Sequence, residues 1–326
     1  MENQENMDLT QENLNSFTNR FLLKGLRTGK NDWWFYLLGI FAAFLGYVLF
    51  QLIMMVPLMS AAMSNGASLN DIMKNPNMIF NPDVTGINRS ALLAIMMGMF
   101  VATLLFFWLA VRFLQKKPMP SLITGFENIR WSRYFFAFGV WASLLIIITL
   151  VGYFTAPQDF EINFDFGKFV VLLLVAVIFI PIQTATEEII FRGYLMQGFG
   201  QAFKNAWMPL IITSVLFGLM HASNPEAKAH GLLIMMPYYI FFGSFLGMLT
   251  LLDEGLELAM GIHCANNLIS SLLISSKNSV LQTDAIFYTS NENPGGEFGI
   301  WIIVAGICYL ILNKKYQLTN WKLLKR

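Results

Sequence analysis

Three short constellations of polar residues lie in stretches otherwise built of apolar side chains. The first is Thr184-Ala185-Thr186-Glu187-Glu188-Ile189-Ile190-Phe191-Arg192. The second is Phe217-Gly218-Leu219-Met220-His221, and the third is His263-Cys264-Ala265-Asn266-Asn267. On a helix, Glu188 and Arg192 are four residues apart, share a face and can pair. Glu187 is turned about 100° from Glu188 and points elsewhere. One carboxylate can therefore be held by Arg192 while its neighbour stays free for chemistry. Phe217 and His221 are also four apart, as are His263 and Asn267, so each pair meets on one face. A Glu–Arg pair at a helix end, or one hydrogen-bonded histidine, is commonplace. Here two of the three histidines and a double carboxylate fall in apolar helices. Ionisable groups at membrane depth cost roughly 2.5–3.5 kcal/mol each on insertion scales, so their retention points to function. The third histidine, His230, falls between two apolar runs and is expected to be solvated.

A carboxylate, two imidazoles and an amide suit the activation of water. A glutamate acting as general base, with a histidine partner, can take a proton from water. A second histidine and an asparagine can donate hydrogen bonds to the oxyanion of a tetrahedral intermediate. The alternative is a metal: two histidines and a glutamate (Glu187, His221 and His263) can hold zinc with a water in the open position. The His-Glu-x-x-His helix that marks many zinc sites is absent from the sequence, as are a Ser/His/Asp arrangement and a glycine-rich phosphate loop. Gly243-x-x-x-Gly247 is read as a helix-packing face.

The elements that must position these groups are set by composition. Hydrophobic residues make up 56% of the 326 and charged residues 13%, against about 25% charged in soluble domains. That leaves too little polar surface for a soluble globule. The net charge of +1 gives no reason to expect a nucleic-acid partner. Cys264 and Cys308 sit in apolar runs as small buried hydrophobes without a disulfide framework. A bilayer core needs about 20 mostly apolar residues per helix. Eight runs qualify as spans: Trp34–Leu58, Ala91–Leu114, Tyr134–Phe154, Lys168–Thr186, Trp207–His221, Gly231–Leu252, Leu256–Ile274 and Phe298–Leu312. Each is too long and too continuous to be a barrel strand. The expected fold is therefore an all-α polytopic membrane protein of about eight transmembrane helices. Its site would lie between the fourth, fifth and seventh. Residues 1–30 are polar, lack the apolar core of a signal peptide and are read as a solvated, partly helical tail. Residues 31–326 would form one transmembrane domain, with a catalytic module at about 168–271.

Lys and Arg set the orientation. With the amino terminus inside, 16 of the 21 basic residues fall in inside segments and 5 outside. Both termini are expected in the cytoplasm of a multi-pass protein of the inner (plasma) membrane. A difficulty follows. Glu187 ends the fourth apolar run and His221 ends the fifth, which would put them about 20–30 Å apart at roughly 1.5 Å per residue. The conflict disappears if the helix continues through Arg192 and Tyr194 to about Ala202 and turns near Lys204-Asn205. Glu187 lies 17 residues before Lys204 and His221 lies 17 after it. In an antiparallel hairpin they then stand at the same height, with the tip projecting into the cytoplasm.

Glu187-Glu188-x-x-x-Arg192, Phe217-x-x-x-His221 and His263-x-x-x-Asn267, in this order on hydrophobic helices, resemble the CPBP family of intramembrane proteases. That family includes the type II CAAX prenyl endopeptidases and the bacterial Abi and bacteriocin-immunity proteins. The resemblance covers about Lys168 to Ser271. It implies that Glu187 activates water with His221, that His263 and Asn267 stabilise the oxyanion, and that Glu188, Arg192 and Phe217 shape the site. It implies either a zinc ion or a metal-free glutamate mechanism. The implied partners are membrane lipid and a membrane-associated or prenylated-like peptide or protein substrate cut near the cytoplasmic leaflet. A non-enzymatic scaffold or immunity protein on the same fold is the alternative. A transporter fits less well, because no second, related half with its own broken helix is present.

Overall fold

Each apolar run is a helix, and most helices are longer than the run that announced them. The computed structural model describes residues 18–324. Among the described residues nine helices carry the architecture: α1 Arg20–Arg27, α2 Trp33–Ser64, α3 Arg89–Leu114, α4 Trp131–Thr155, α5 Phe166–Phe203, α6 Trp207–Met220, α7 Leu232–Asp253, α8 Glu257–Leu273 and α9 Pro294–Tyr316. Six of them (α2, α3, α4, α5, α7 and α9) are long and apolar enough to cross a membrane. The remaining two of the eight expected spans fall short. α6 has 14 residues, about 21 Å of helix. α8 has 17 and gives up apolarity to Glu257, His263, Asn266 and Asn267. The protein is a polytopic all-α membrane protein. Its outer helices turn large apolar side chains outward: in α2, Leu37, Phe41 and Phe44 are each about 60% exposed. Such a surface is at rest in lipid and not in water.

α8 lies at the centre, packed on α4, α5 and α7. Its fit against α4 depends on Gly261, where a Cβ would stand 2.3 Å from the Tyr134 carbonyl oxygen. α5 does not stop at Thr186. It runs through Glu188 into a widened π segment, Ile189–Leu195, and on to Phe203. Lys204 then takes the left-handed conformation (φ 53°, ψ 31°) that ends a helix, and α6 begins at Trp207. The hairpin expected from the sequence is thus formed. Arg192 is a wholly buried residue of this helix.

The amino-terminal segment differs from the solvated tail expected for residues 1–30. Residues 1–17 lie outside the described residues, but from Asn19 onward the chain is packed. Asn19 Oδ1 accepts from the amides of Phe21 and Leu22, and its Nδ2 donates to the Leu251 carbonyl, 2.8 Å away. α1 is amphipathic and buries Phe21, Leu22 and Gly25 over the hairpin tip. Gln197 on α5 donates to the Phe21 and Ser121 carbonyls.

Basic residues gather at this end. Arg130 pairs with Asp253 and Glu257, Arg133 with Asp253, and Arg20 with Glu254. Lys117 is fully buried there and donates to the Gly25 carbonyl, Asn31 Oδ1 and the Tyr36 hydroxyl. Burial without a carboxylate pushes its ammonium down to about 7. At the opposite end, β1 (Glu161–Ile162), β2 (Ile274–Ser276) and β3 (Phe287–Thr289) form a small sheet of order β1-β3-β2, which the apolar pattern did not announce. His230 is not simply solvated: it pairs with Glu292, which also accepts from Asn278. Burial alone would raise the Glu292 carboxyl, but hydrogen bonds from Ser276, Asn278 and His230 hold it below its ordinary value. Cys264 and Cys308 are free and buried.

Candidate active site

Glu187 and Glu188 end the regular part of α5, at the start of its π segment. Such widened turns recur at functional positions. Here the helix carries Glu188 and Arg192 into the protein interior, both with no exposed surface. Arg192 Nη1 donates to Glu188 Oε1 at 2.7 Å, and Nη2 donates to the Gly243 carbonyl at 3.2 Å. The guanidinium also lies 4.2 Å over the Phe217 ring. Gly243 makes this possible, since a Cβ there would meet Arg192 Nη2 at 3.3 Å and the Ser214 Cα at 3.2 Å. Gly243-x-x-x-Gly247 is accordingly the seam between α7 and α6.

α8 brings His263 to the same carboxylate. Its Nδ1 is 2.7 Å from Glu188 Oε1. A carboxylate held by arginine is an acceptor, so His263 Nδ1 carries the proton. The other ring nitrogen, Nε2, lies 3.5 Å from Glu187 Oε2 and 3.5 Å from Asn267 Nδ2. Glu187 is only 6% exposed, and its Oε2 has no hydrogen-bond partner. Buried carboxylate oxygens are rarely left so, and an orphan of this kind needs a reason.

His221 closes α6. Its Nδ1 lies 2.7 Å from the Phe217 carbonyl oxygen. A carbonyl only accepts, so Nδ1 carries the hydrogen and a neutral ring keeps a lone pair at Nε2. The imidazole packs on Phe217 (centroids 4.6 Å) and on Tyr239 (4.8 Å), and Phe217 in turn packs against His263 at 5.9 Å. Glu187 pairs with His263; neither a hydrogen bond nor an ion pair joins it to His221 among the described residues. Phe217 is the shared wall that both histidines touch.

The donors can be compared with what zinc requires, three protein ligands and an open position. Among the described residues no three His, Cys, Asp or Glu side chains converge in that way. Glu187 and His263 face each other, while His221 stands off beside Phe217. The set Glu187, His221 and His263, as placed, does not fit a zinc cage.

Residues 166–269 match the family described as type II CAAX prenyl endopeptidase Rce1-like. The chain is also 31% identical over 253 residues to a protein of Bacillus subtilis (strain 168) described as uncharacterized protein YyaK; the match spans 74% of this chain and 83% of that protein. The chain belongs to the type II CAAX prenyl endopeptidase Rce1-like family. No solved structure matches it. The matched residues run from the start of α5 to Ile269, so Glu187, Glu188, Arg192, Phe217, His221, Gly243, His263 and Asn267 all lie inside the Rce1-like region.

Three further residues of this cluster were not singled out by the sequence. Gln183, four residues before Glu187 and 6% exposed, accepts from Asn267 Nδ2 at 3.0 Å. Its i, i+4 spacing to Glu187 was a usable signal. Asn266 stood beside Asn267 in the quoted motif and donates to Asn267 Oδ1 at 3.1 Å. Trp141 of α4 donates to Asn266 Oδ1 at 3.2 Å. Nothing marked it, because a tryptophan in an apolar span reads as packing.

Proposed function

We propose that this chain is an intramembrane endopeptidase that hydrolyses a peptide bond of a membrane-associated, prenylated-like substrate, near the leaflet on the basic, cytoplasmic side. The observation that carries this reading is the Glu187 carboxylate: buried, with Oε2 free of any hydrogen bond, and 3.5 Å from the Nε2 of a histidine whose other nitrogen is already engaged. A water lying beside this pair, within hydrogen-bond reach of Glu187 Oε2, is the nucleophile of this reading.

Charge balance supports the assignment. Two carboxylates, Glu187 and Glu188, face one permanent cation, Arg192. The cluster becomes neutral when His263 holds a proton on each nitrogen, and a buried ionic group is tolerable only when so balanced. His263 Nε2–H and an Asn267 N–H are then two donors side by side, 3.5 Å apart. Two donors converging on one point make a seat for an oxyanion.

Water on Glu187 Oε2 loses a proton to that oxygen as its own oxygen attacks the scissile carbonyl carbon. The carbonyl oxygen takes up the electron pair and accepts from His263 and Asn267. His221, with its Nδ1–H on the Phe217 carbonyl and its ring packed on Phe217, holds the shared wall of the site and is given no proton to carry. Collapse of the intermediate expels the amine, which takes the proton from Glu187. The products are a carboxylic acid, which keeps the second hydrogen of the water until it passes to the released amine, and that amine, and Glu187 is left as a carboxylate ready for the next water. The transferred proton is carried by Glu187, and no metal is assigned a part.

The test uses purified protein in liposomes with an isoprenylated CAAX-type peptide and a panel of single-span membrane peptides. Cleavage by the native chain, insensitivity to chelators and loss of cleavage in Glu187→Gln are expected. Equal cleavage by Glu187→Gln overturns the mechanism. Absence of cleavage, together with an unaltered cellular phenotype in Glu187→Gln, assigns the chain a scaffold role instead.

A further inference from the structure

We propose that Trp141 fixes the polarity of the Asn267 amide, acting through Asn266, and so aims an Asn267 N–H at the reacting centre. This rests on the oxyanion role proposed for Asn267. An asparagine amide can turn over by 180° with almost no change of shape, which exchanges its donor for its acceptor. In an oxyanion seat the wrong orientation presents a carbonyl oxygen to a developing negative charge. Something must forbid that orientation, and Asn267's immediate neighbours cannot. Asn266 and Gln183 are amides too, so the three can turn over together and keep every bond between them.

The indole breaks the symmetry. Trp141 Nε1–H donates to Asn266 Oδ1 at 3.2 Å, and an indole nitrogen can only donate. Asn266 must therefore face Trp141 with its oxygen, which turns its Nδ2 to Asn267 Oδ1 at 3.1 Å. Asn267 is then left with its Nδ2 inward. One hydrogen goes to Gln183 Oε1 at 3.0 Å, and the other lies beside the His263 Nε2–H, the two nitrogens 3.5 Å apart, left for an acceptor that both donors can share. Reversing the chain would set the Asn266 amino group against the indole N–H, two donors facing at the buried end of the relay. The indole itself is held: Trp141 is fully buried between Trp301 (centroids 5.4 Å) and Phe245 (6.0 Å). Trp141 is thus a positioning residue on α4 that never touches substrate.

The experiment is a pair of double-mutant cycles, read as kcat and KM on whichever panel peptide the native chain cleaves fastest. Trp141→Phe keeps a ring in the pocket and removes the N–H, so both amide polarities become available. A fall in kcat of about 2- to 10-fold is expected, with KM within about twofold, below the ~10²–10³ that one lost oxyanion donor costs. In an Asn267→Ala background the same change should cost nothing, because the group it orients is gone. Asn266→Asp forces the opposite polarity, since a carboxylate can only accept from Asn267. Its cost should be at least tenfold greater with Asn267 present than with alanine there; the alanine background reports the effect of the added charge alone. If Trp141→Phe does not accumulate, the Asn266→Asp cycle decides. Equal losses in both backgrounds, for either change, overturn the relay and leave the oxyanion role of Asn267 standing. Native turnover in Asn267→Ala overturns that role itself, and the relay with it.

Discussion

Glu187 and Glu188 are adjacent in the chain and chemically identical, yet conversion of each to glutamine should give opposite results. Glu188 Oε1 accepts from Arg192 Nη1 and from His263 Nδ1, each at 2.7 Å. Glu188→Gln keeps an acceptor oxygen but removes the anion, which leaves the Arg192 guanidinium, with no exposed surface, without its paired counter-charge beside the Gly243 carbonyl at 3.2 Å and the face of Phe217. Breaking one side of a buried pair costs about 3–5 kcal/mol. At about 2–4 °C per kcal/mol, the midpoint of unfolding in detergent should drop by roughly 6–20 °C. Glu187 Oε2 accepts no hydrogen bond and its pairing with His263 is long, at 3.5 Å, so Glu187→Gln gives up one weak contact and should move the midpoint by no more than about 2–4 °C, or 1 kcal/mol. Peptide cleavage should nevertheless be lost in Glu187→Gln. A Glu188→Leu/Arg192→Leu double variant provides the control, because removing both charges recovers much of what removing one forfeits. If Glu187→Gln lowers the midpoint as far as Glu188→Gln does, the division into a structural and a free carboxylate is wrong.

His263→Ala and Asn267→Ala should each lower kcat by about 10²–10³ with little change in KM, since oxyanion donors act mainly in the transition state; steady-state kinetics on the cleaved peptide checks this. Lys117 makes stability depend on pH. Its folded value near 7 is below that of an unfolded lysine, so the unfolded chain binds more protons between about 7 and 10.4. Stability should therefore rise with pH across that window, by up to about 1.4 kcal/mol per unit, and Lys117→Met should flatten the slope in detergent melts. Single cysteines at Thr10 and Asn320 should resist an impermeant thiol reagent applied outside intact cells; ready labelling of both would reverse the proposed orientation.

What the sequence disclosed and what it hid divide along one physical line: contacts along a helix are legible, and contacts between helices are not. The Glu188–Arg192 pair is a matter of four residues on one helix, and the structure contains it. The hairpin that brings α6 back along α5 came from counting residues on either side of Lys204. By contrast, the imidazole beside the carboxylates could not be read from spacing. His221 comes first in the chain after Glu187, yet it is His263, on another helix and 75 residues beyond Glu188, that stands beside both carboxylates. The small sheet at the far end escaped because three strands of two or three residues carry too little pattern. Trp141 escaped for a deeper reason. Its indole serves as packing and as a donor at once, and hydropathy registers only the first. In a membrane-embedded site this oversight is general, because polar atoms are brought in where they cost least, on side chains that are otherwise apolar. An apolar span that contributes a single N–H can then govern the chemistry of three polar helices without altering its own hydrophobic profile.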